Sequence, residues 1–531
     1  MSISHDAVGN ATKLTNQDGQ SWAYTYGENG QVTTVTDPGG HTTTLHYEKG
    51  DLVSITDPLG RSSTRFADSL GRTVLLTDPL GRITRYEYDA LNRQTSVTDA
   101  IGAQTSFSYD ANGNVRSIID ARGGETQYEY DSMDRVVSRK DPLGVSETYS
   151  YNPDGQLRQH IDRVGRIANG NYDGLGRLNE MFYSDGTSVA YSYDAGWRIT
   201  RIADSVAGTI VRTFDDMDRL SSESSSQGTV AYMYNDVGRL TRMVVDDQEP
   251  ILYSYDQMNR LSQVARGQTM IALNYDSANR RSKVSLPGNI DVDYLYDSSS
   301  QLTELTFSIN QNVLGNLTYT YDSAGSRTSV GGTLARVSLP PTMASATYDI
   351  ANRLQSWDGT NVTHDSSGLM TNDGTRNYEW DIRRRLIGLG RNETFSYDGI
   401  DRRMRATVGG VTMDYLSDGD SVVRKQTSEG DSITFLNGGL DETLASIDAL
   451  GVHSYIADAL GSTLALASDG SIATEYMYEP YGKAIQSGQP SSDATRFTGR
   501  EDDGTGLVFY RARYLSSRFG RLSLRILLAW V

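Results

Sequence analysis

One tyrosine position returns about every 21 residues, and this period constrains the fold more than any other property of the chain. It is read at Tyr26, Tyr47, Tyr88, Tyr109, Tyr130, Tyr151, Tyr172 and Tyr193, where 109 − 88 and 130 − 109 are both 21. Phe66 is taken as the rung between Tyr47 and Tyr88, two positions short of the spacing. The series runs on through Phe214, Tyr234, Tyr255, Tyr275 and Tyr296, loosens at Tyr321, Tyr348 and Trp380, and begins at His5. A fixed period of this length marks a repeat architecture, in which one small unit gains a core only by stacking on its neighbours.

The unit reads aromatic-x-Tyr-Asp-x-x-Gly/Asn-Arg-Leu, complete at Tyr253 to Leu261 and partial at Tyr86 to Arg93 and Tyr172 to Leu178. Tyr86 with Tyr88, and Tyr128 with Tyr130, alternate as strand residues sharing one face. Asp-x-x-Gly is turn chemistry, because Asp bonds the backbone two residues on and Gly or Asn tolerates positive φ. A second turn series follows a second strand, at Asp37-Pro38, Asp57-Pro58, Asp78-Pro79, Asp99, Asp120, Asp141-Pro142 and Asp162. Each unit is therefore strand, turn, strand, turn. The expected fold is all-β: a repetitive antiparallel hairpin ribbon whose right-handed twist curls it into a barrel, solenoid or hollow shell. The tyrosines are read as a structural ladder, and Arg93, Arg135, Arg177 and Arg219 as paired or stacked structural cations.

Composition removes several chemistries. The chain has 531 residues, 67 acidic and 49 basic, a formal charge of −18, which argues against binding nucleic acid. There is no cysteine and there are 6 histidines, so disulfides, thiol nucleophiles and thiolate zinc sites are excluded. No Gly-x-Ser-x-Gly elbow, phosphate-binding loop or His-Glu-x-x-His is present. Asp502-Asp503-Gly504 and Asp418-Gly419-Asp420 lack the full spacing of a calcium loop and are read as acidic turns. Neither the N-terminal segment nor the apolar run Ile526 to Val531 has the length of a membrane span. No cofactor, metal or catalytic residue is expected.

The C-terminal part carries ordered motifs: Asp458-Ala459-Leu460-Gly461-Ser462-Thr463, Tyr476-Met477-Tyr478-Glu479-Pro480-Tyr481-Gly482, and Phe497-Thr498-Gly499-Arg500-Glu501. Thr505-Gly506-Leu507, Tyr510-Arg511-Ala512-Arg513-Tyr514 and Gly520-Arg521 follow. With the repeats, these resemble the RHS family of YD-repeat proteins and its RHS-associated core, a group that includes Tc toxin C components and teneurins. The resemblance implies YD repeats over residues 1–400, divergent repeats over 401–450 and the core over 451–521. It implies a non-enzymatic β-shell, here incomplete, that encloses a C-terminal toxin and delivers it to a neighbouring cell or host through a delivery machine. The intact protein would be secreted or at the cell surface. It also makes the basic segment Arg496, Arg500, Arg511, Arg513, Arg518, Arg521 and Arg525 core residues paired with shell carboxylates such as Glu501. A second reading, from the likeness to teneurins, is adhesion through recognition of surface carbohydrate by the tyrosine ladder.

In the family an aspartate-containing Asp-Pro-x-Gly region just after Gly-Arg-Phe allows self-cleavage, for which paired carboxyl groups are suited. This chain departs there, reading Gly520-Arg521-Leu522 and ending at Val531 without it. Deleting one T from codons for Gly-Arg-Phe-Ile-Ser-Glu-Asp-Pro-Leu-Gly-Leu-Gly yields the observed residues, so 522–531 is read as an out-of-frame tail lacking cleavage segment and toxin. Residual self-cleavage is the enzymatic alternative. The start, Met1 to Asn10, enters in the middle of a repeat, which is read as either loss of the true N-terminal region or an internal start.

Overall fold

The computed structural model describes residues 1–16, 19–491, 495–511 and 513–522, and shows an almost entirely β-stranded chain. Residues 523–531, nearly all of the tail read as out-of-frame, lie outside the described residues, as does Ala512. Strands from Ser2–His5 to Arg327–Gly331 form an antiparallel sheet of 32 strands. Short hairpins over 346–372, a 12-stranded sheet from Tyr378–Trp380 to Ala484–Gly488 and a 4-stranded sheet from Glu501–Asp502 to Arg521–Leu522 follow.

The turn of the repeat explains the period. Asp89 N–H donates to Arg93 O at 2.9 Å and Asn92 N–H to Asp89 O at 3.1 Å, with Asn92 at φ 65°. This is a type I turn closed by a left-handed residue, which forces a bulge on the strand. The bulge falls at the ladder aromatic in hairpin after hairpin, for example at Tyr26, Tyr109, Tyr130, Tyr193 and Tyr296. The same register shift recurs at Tyr348, His364, Trp380 and Tyr397, two of which, His364 and Tyr397, the spacing alone does not single out.

Phe66 is not a rung. The shift comes between Phe66 and Ala67, Ala67 pairs with Thr73, and Phe66 is 63% exposed. The cause is the preceding hairpin: Glu48 pairs with Asp51 across Lys49-Gly50, a loop shorter than Asp-x-x-Gly, so the rung falls at 67.

Two compact units are present. The first comprises 1–125, 254–263 and 271–335, the second 126–253, 264–270 and 336–531. Within the first, stretches 240 residues apart meet: Arg61 Nη1 donates to Gln301 Oε1 at 2.7 Å and Ser299 Oγ to Asp57 Oδ2 at 3.0 Å. Within the second, an apolar core joins Leu354, Leu386, Phe395, Tyr397 and Met413 to Leu507, Phe509, Tyr514 and Phe519. In residues 1–125 no described apolar side chain is fully buried, so pairing and the ladder must hold that ribbon.

The ladder is a chain of contacts from each repeat to the next. Asp89 Oδ1 accepts the amides of Leu91 and Arg93, both at 2.9 Å, and Oδ2 accepts Arg93 Nε at 2.7 Å. The Arg93 guanidinium lies 4.6 Å from the centre of the Tyr109 ring and reaches Asp110 O at 3.1 Å. Tyr109 donates its hydroxyl to Gln94 O at 2.6 Å. Arg135, Arg177 and Arg219 repeat the pairing, over Tyr151, Tyr193 and Tyr234. These four arginines are therefore structural cations, as read from the sequence. Tyr109→Phe should cost about 1 kcal/mol, the worth of one hydrogen bond, in denaturant melts followed by circular dichroism.

Candidate functional site

The second unit holds two concentrations of buried charge. The first lies where the ribbon of residues 126–253 meets the C-terminal strands. Arg163 pairs with Asp141 at 2.6 Å and donates to Ser367 O at 2.8 Å, and Arg402 pairs with Glu223 at 2.7 Å. Arg383 pairs with Asp204, Arg424 with Asp246, and the Tyr232 hydroxyl donates to Asp418 at 2.8 Å. Glu147, with a side chain 1% exposed, lies 2.7 Å from Arg139, 3.5 Å from His160 and 3.8 Å from Arg384. Burial alone would raise its carboxyl, but the adjacent His160 imidazole and the hydrogen-bonded Arg139 guanidinium hold it down at about 2.

The second concentration is built on Asp441. Its Oδ2 accepts Arg500 Nη2 at 2.7 Å and its Oδ1 accepts Arg511 Nη2 at 2.8 Å, so two arginines of the core segment converge on one turn residue. Gly499 lies with its α-carbon against the Asp441 carbonyl, at φ 69°, where any side chain would collide. Gly461, in the turn opened by Asp458, faces the same carbonyl, and a Cβ there would come within 3.4 Å of it. Asp458 Oδ1 accepts the amides of Leu460 and Ser462, both at 2.8 Å, and Ser462 Oγ accepts Thr498 N–H at 3.1 Å. Both arginines pair with carboxylates as expected, but Glu501, the acid offered as an example, forms no ion pair with either; the acids are Asp441 and, 3.5 Å from Arg511, Asp420. Sequence reading missed Asp441 because it follows Leu440 outside any recognisable repeat.

The other motif residues make contacts of their own. Tyr478 donates to Thr463 O at 2.6 Å, and the turn containing Pro480 closes with Gly482 N–H on Glu479 O at 2.9 Å. Leu507 is buried and pairs with Ser516, while the Gly506 carbonyl accepts Ser517 Oγ at 3.0 Å. The Tyr514 and Tyr397 hydroxyls are 2.9 Å apart, and the Arg513 carbonyl accepts Tyr510 N–H at 2.7 Å. Gly520 N–H donates to Ser516 O at 2.9 Å, and Arg521 lies 4.2 Å from the Tyr348 ring centre.

The two acidic triplets are not plain turns. Asp503, 1% exposed, pairs at 2.5 Å with Arg403, 2% exposed, and accepts the Tyr415 hydroxyl at 3.1 Å. Asp418 is engaged by Tyr232 as above. Burial raises the carboxyls of Asp418, Glu501 and Asp502. A cavity of about 300 Å³ opens beside Asp441, lined also by Arg403, Phe435, Arg500, Glu501 and Arg511. Among the described residues no cluster of His, Asp or Glu has the arrangement of a metal site, and no helix is long and apolar enough to cross a membrane.

The sequence matches the teneurin YD-shell family over residues 76–215, 208–330 and 289–523, and the RHS repeat over 5–43. It is 28% identical over 216 residues to the tRNA nuclease WapA of Bacillus subtilis (strain 168), and equally to the tRNA3(Ser)-specific nuclease WapA of Bacillus spizizenii. These matches cover 38% of this chain and 9% of those proteins. A crystal structure of TcdB2-TccC3 superposes with a TM-score of 0.68 at 14% identity, covering 98% of this chain and 35% of that one.

Proposed function

This chain belongs to the teneurin YD-shell family, and from that membership we propose that it is the scaffold of a toxin-delivery protein, keeping a C-terminal toxic polypeptide from solvent until release. The observation that carries the reading is how the repeat uses its own polar groups. The Asp, Arg and Tyr that recur through the chain satisfy one another, as at Asp89, Arg93 and Tyr109, and so serve the wall itself. The likeness to the WapA nucleases spans less than a tenth of their length, so the activity in their name is assigned to a separate segment of a protein of this kind. Secretion, and passage through a delivery machine, belong to the same proposal.

The carbohydrate reading is weaker on the same geometry. Sugars stack on open aromatic faces, whereas guanidinium groups cover a face of Tyr88, Tyr109, Tyr151 and Tyr193.

A flexible, protease-sensitive polypeptide appended after Val531 tests the scaffold. It should resist proteinase K under native conditions and be degraded once the protein is unfolded. Degradation of the native fusion at the rate of the free polypeptide would rule the enclosure out.

A further inference from the structure

Three consecutive strands of the 12-stranded sheet, Glu442–Asp448, Gly451–Ala457 and Thr463–Ser468, bring a carboxylate, an imidazole and a hydroxyl into one line. Asp448 pairs with Gly451 and Ser454 with Ala467, a register that sets His453 between Asp448 and Ser468. His453 Nε2 is 3.1 Å from Asp448 Oδ1, and its Nδ1 is 2.6 Å from Ser468 Oγ. The carboxylate is itself fixed, because Oδ1 also accepts the amides of Leu450 at 2.7 Å and Gly451 at 3.1 Å. The imidazole and carboxylate are partly accessible, at 20% and 19% of their side-chain surface, and border a cavity of about 90 Å³ that Leu450 and Leu466 help to line. Ser468 itself lies outside the lining of that cavity.

We propose that Ser468, His453 and Asp448 form a hydrolytic site for small activated esters, with Ser468 as nucleophile, His453 as general base and Asp448 as the group that orients the imidazole. With the ring proton on Nε2 and donated to Asp448, the Nδ1 lone pair is free to accept the Ser468 proton. Ser468 Oγ forms a bond to the acyl carbon as its proton passes to Nδ1, and the carbonyl π pair moves onto oxygen. The tetrahedral adduct collapses, the carbon–oxygen bond to the alcohol breaks, and the leaving oxygen takes the proton from Nδ1. Water then attacks the acyl-serine, gives a proton to Nδ1, and Ser468 leaves with that proton, so one ester and one water become one acid and one alcohol. The ring nitrogens serve in the opposite sense from the serine proteases, which leaves the proton path intact because either nitrogen can accept or donate. The Asp469 amide, directly after the nucleophile in sequence, stands where hydrolases of other folds draw an oxyanion donor. The inference departs from the expectation of a chain without catalysis. It uses none of the residues of the Asp441 hub, so the scaffold reading stands or falls separately.

The test uses the full chain with p-nitrophenyl acetate and a fluorophosphonate probe. Peptide mapping should place the probe on Ser468. Ser468→Ala and His453→Gln should each lower ester turnover at least a hundredfold, with circular dichroism melts confirming that the variants are folded. Turnover by Ser468→Ala at the wild-type rate would overturn the site, since it would show adventitious catalysis by other surface groups. If a variant fails to fold, mapping on the wild-type protein decides: absence of the adduct at Ser468 overturns the proposal equally.

Discussion

Asp503→Ala should destabilise the second unit by about 3–5 kcal/mol, the cost of leaving a buried charge without its partner. Arg403 and Asp503 are both almost wholly inaccessible and 2.5 Å apart, one on the strand Arg403–Val408 and the other beside Glu501–Asp502. The guanidinium also lies 4.3 Å from the Phe509 ring centre and 4.8 Å from that of Tyr415, so aromatic faces stand in place of solvent on these sides of it. Arg403→Ala adds a cavity to the loss. The double variant Arg403→Met with Asp503→Leu should recover most of the stability, because apolar side chains of similar volume replace both charges. Thermal melts of the three variants decide between this and a surface-like pair, for which Asp503→Ala would cost less than about 1 kcal/mol.

That pair also marks how far the residues alone lead. The ribbon was legible because its turn chemistry is local: Asp, a left-handed residue and Arg lie within five positions and recur. Arg403 was legible in principle, since it occupies the place after the turn arginine where Leu178 and Leu261 stand in other repeats. A charge at an apolar rung calls for a buried counter-charge, but nothing local says that it lies 100 residues on. The same limit hid Asp441, whose partners Arg500 and Arg511 are 59 and 70 residues away. Phe66 failed for the opposite reason: a fixed spacing was applied across a hairpin with a shorter loop, and local pairing overrode the period. Ser468, His453 and Asp448 carry no sequence motif because their alignment is made by strand register.

Acidification should act on the two units in opposite ways before both are lost. In the first unit the turn aspartates are held below their ordinary range: Asp89 by backbone bonds at Arg93, Asp68 by the Arg72 side chain, Asp6 by backbone bonds at Asn10. A group whose folded pKa is depressed stabilises the fold above its unfolded value, about 3.9 for Asp, and loses that contribution as the pH falls through the folded value. The second unit has such groups too, among them Asp173, Asp215 and, at about 2, Glu147. It also carries Asp418, Glu501 and Asp502, which burial raises. A raised carboxyl costs stability while it is ionised, and that cost is relieved as the pH falls through its folded value, above about 4. The melting temperature of the second unit should therefore rise as the pH falls through these raised values, then fall steeply below about pH 4, where the depressed carboxylates take up protons. The first unit should show only the fall. Hydrogen exchange followed by mass spectrometry across this range separates the two, and Asp418→Asn should flatten the rise while raising stability at pH 7. A decline of the second unit that begins at pH 7 and continues without a maximum would mean that its buried carboxyls are ionised at no cost, contrary to their placement away from water.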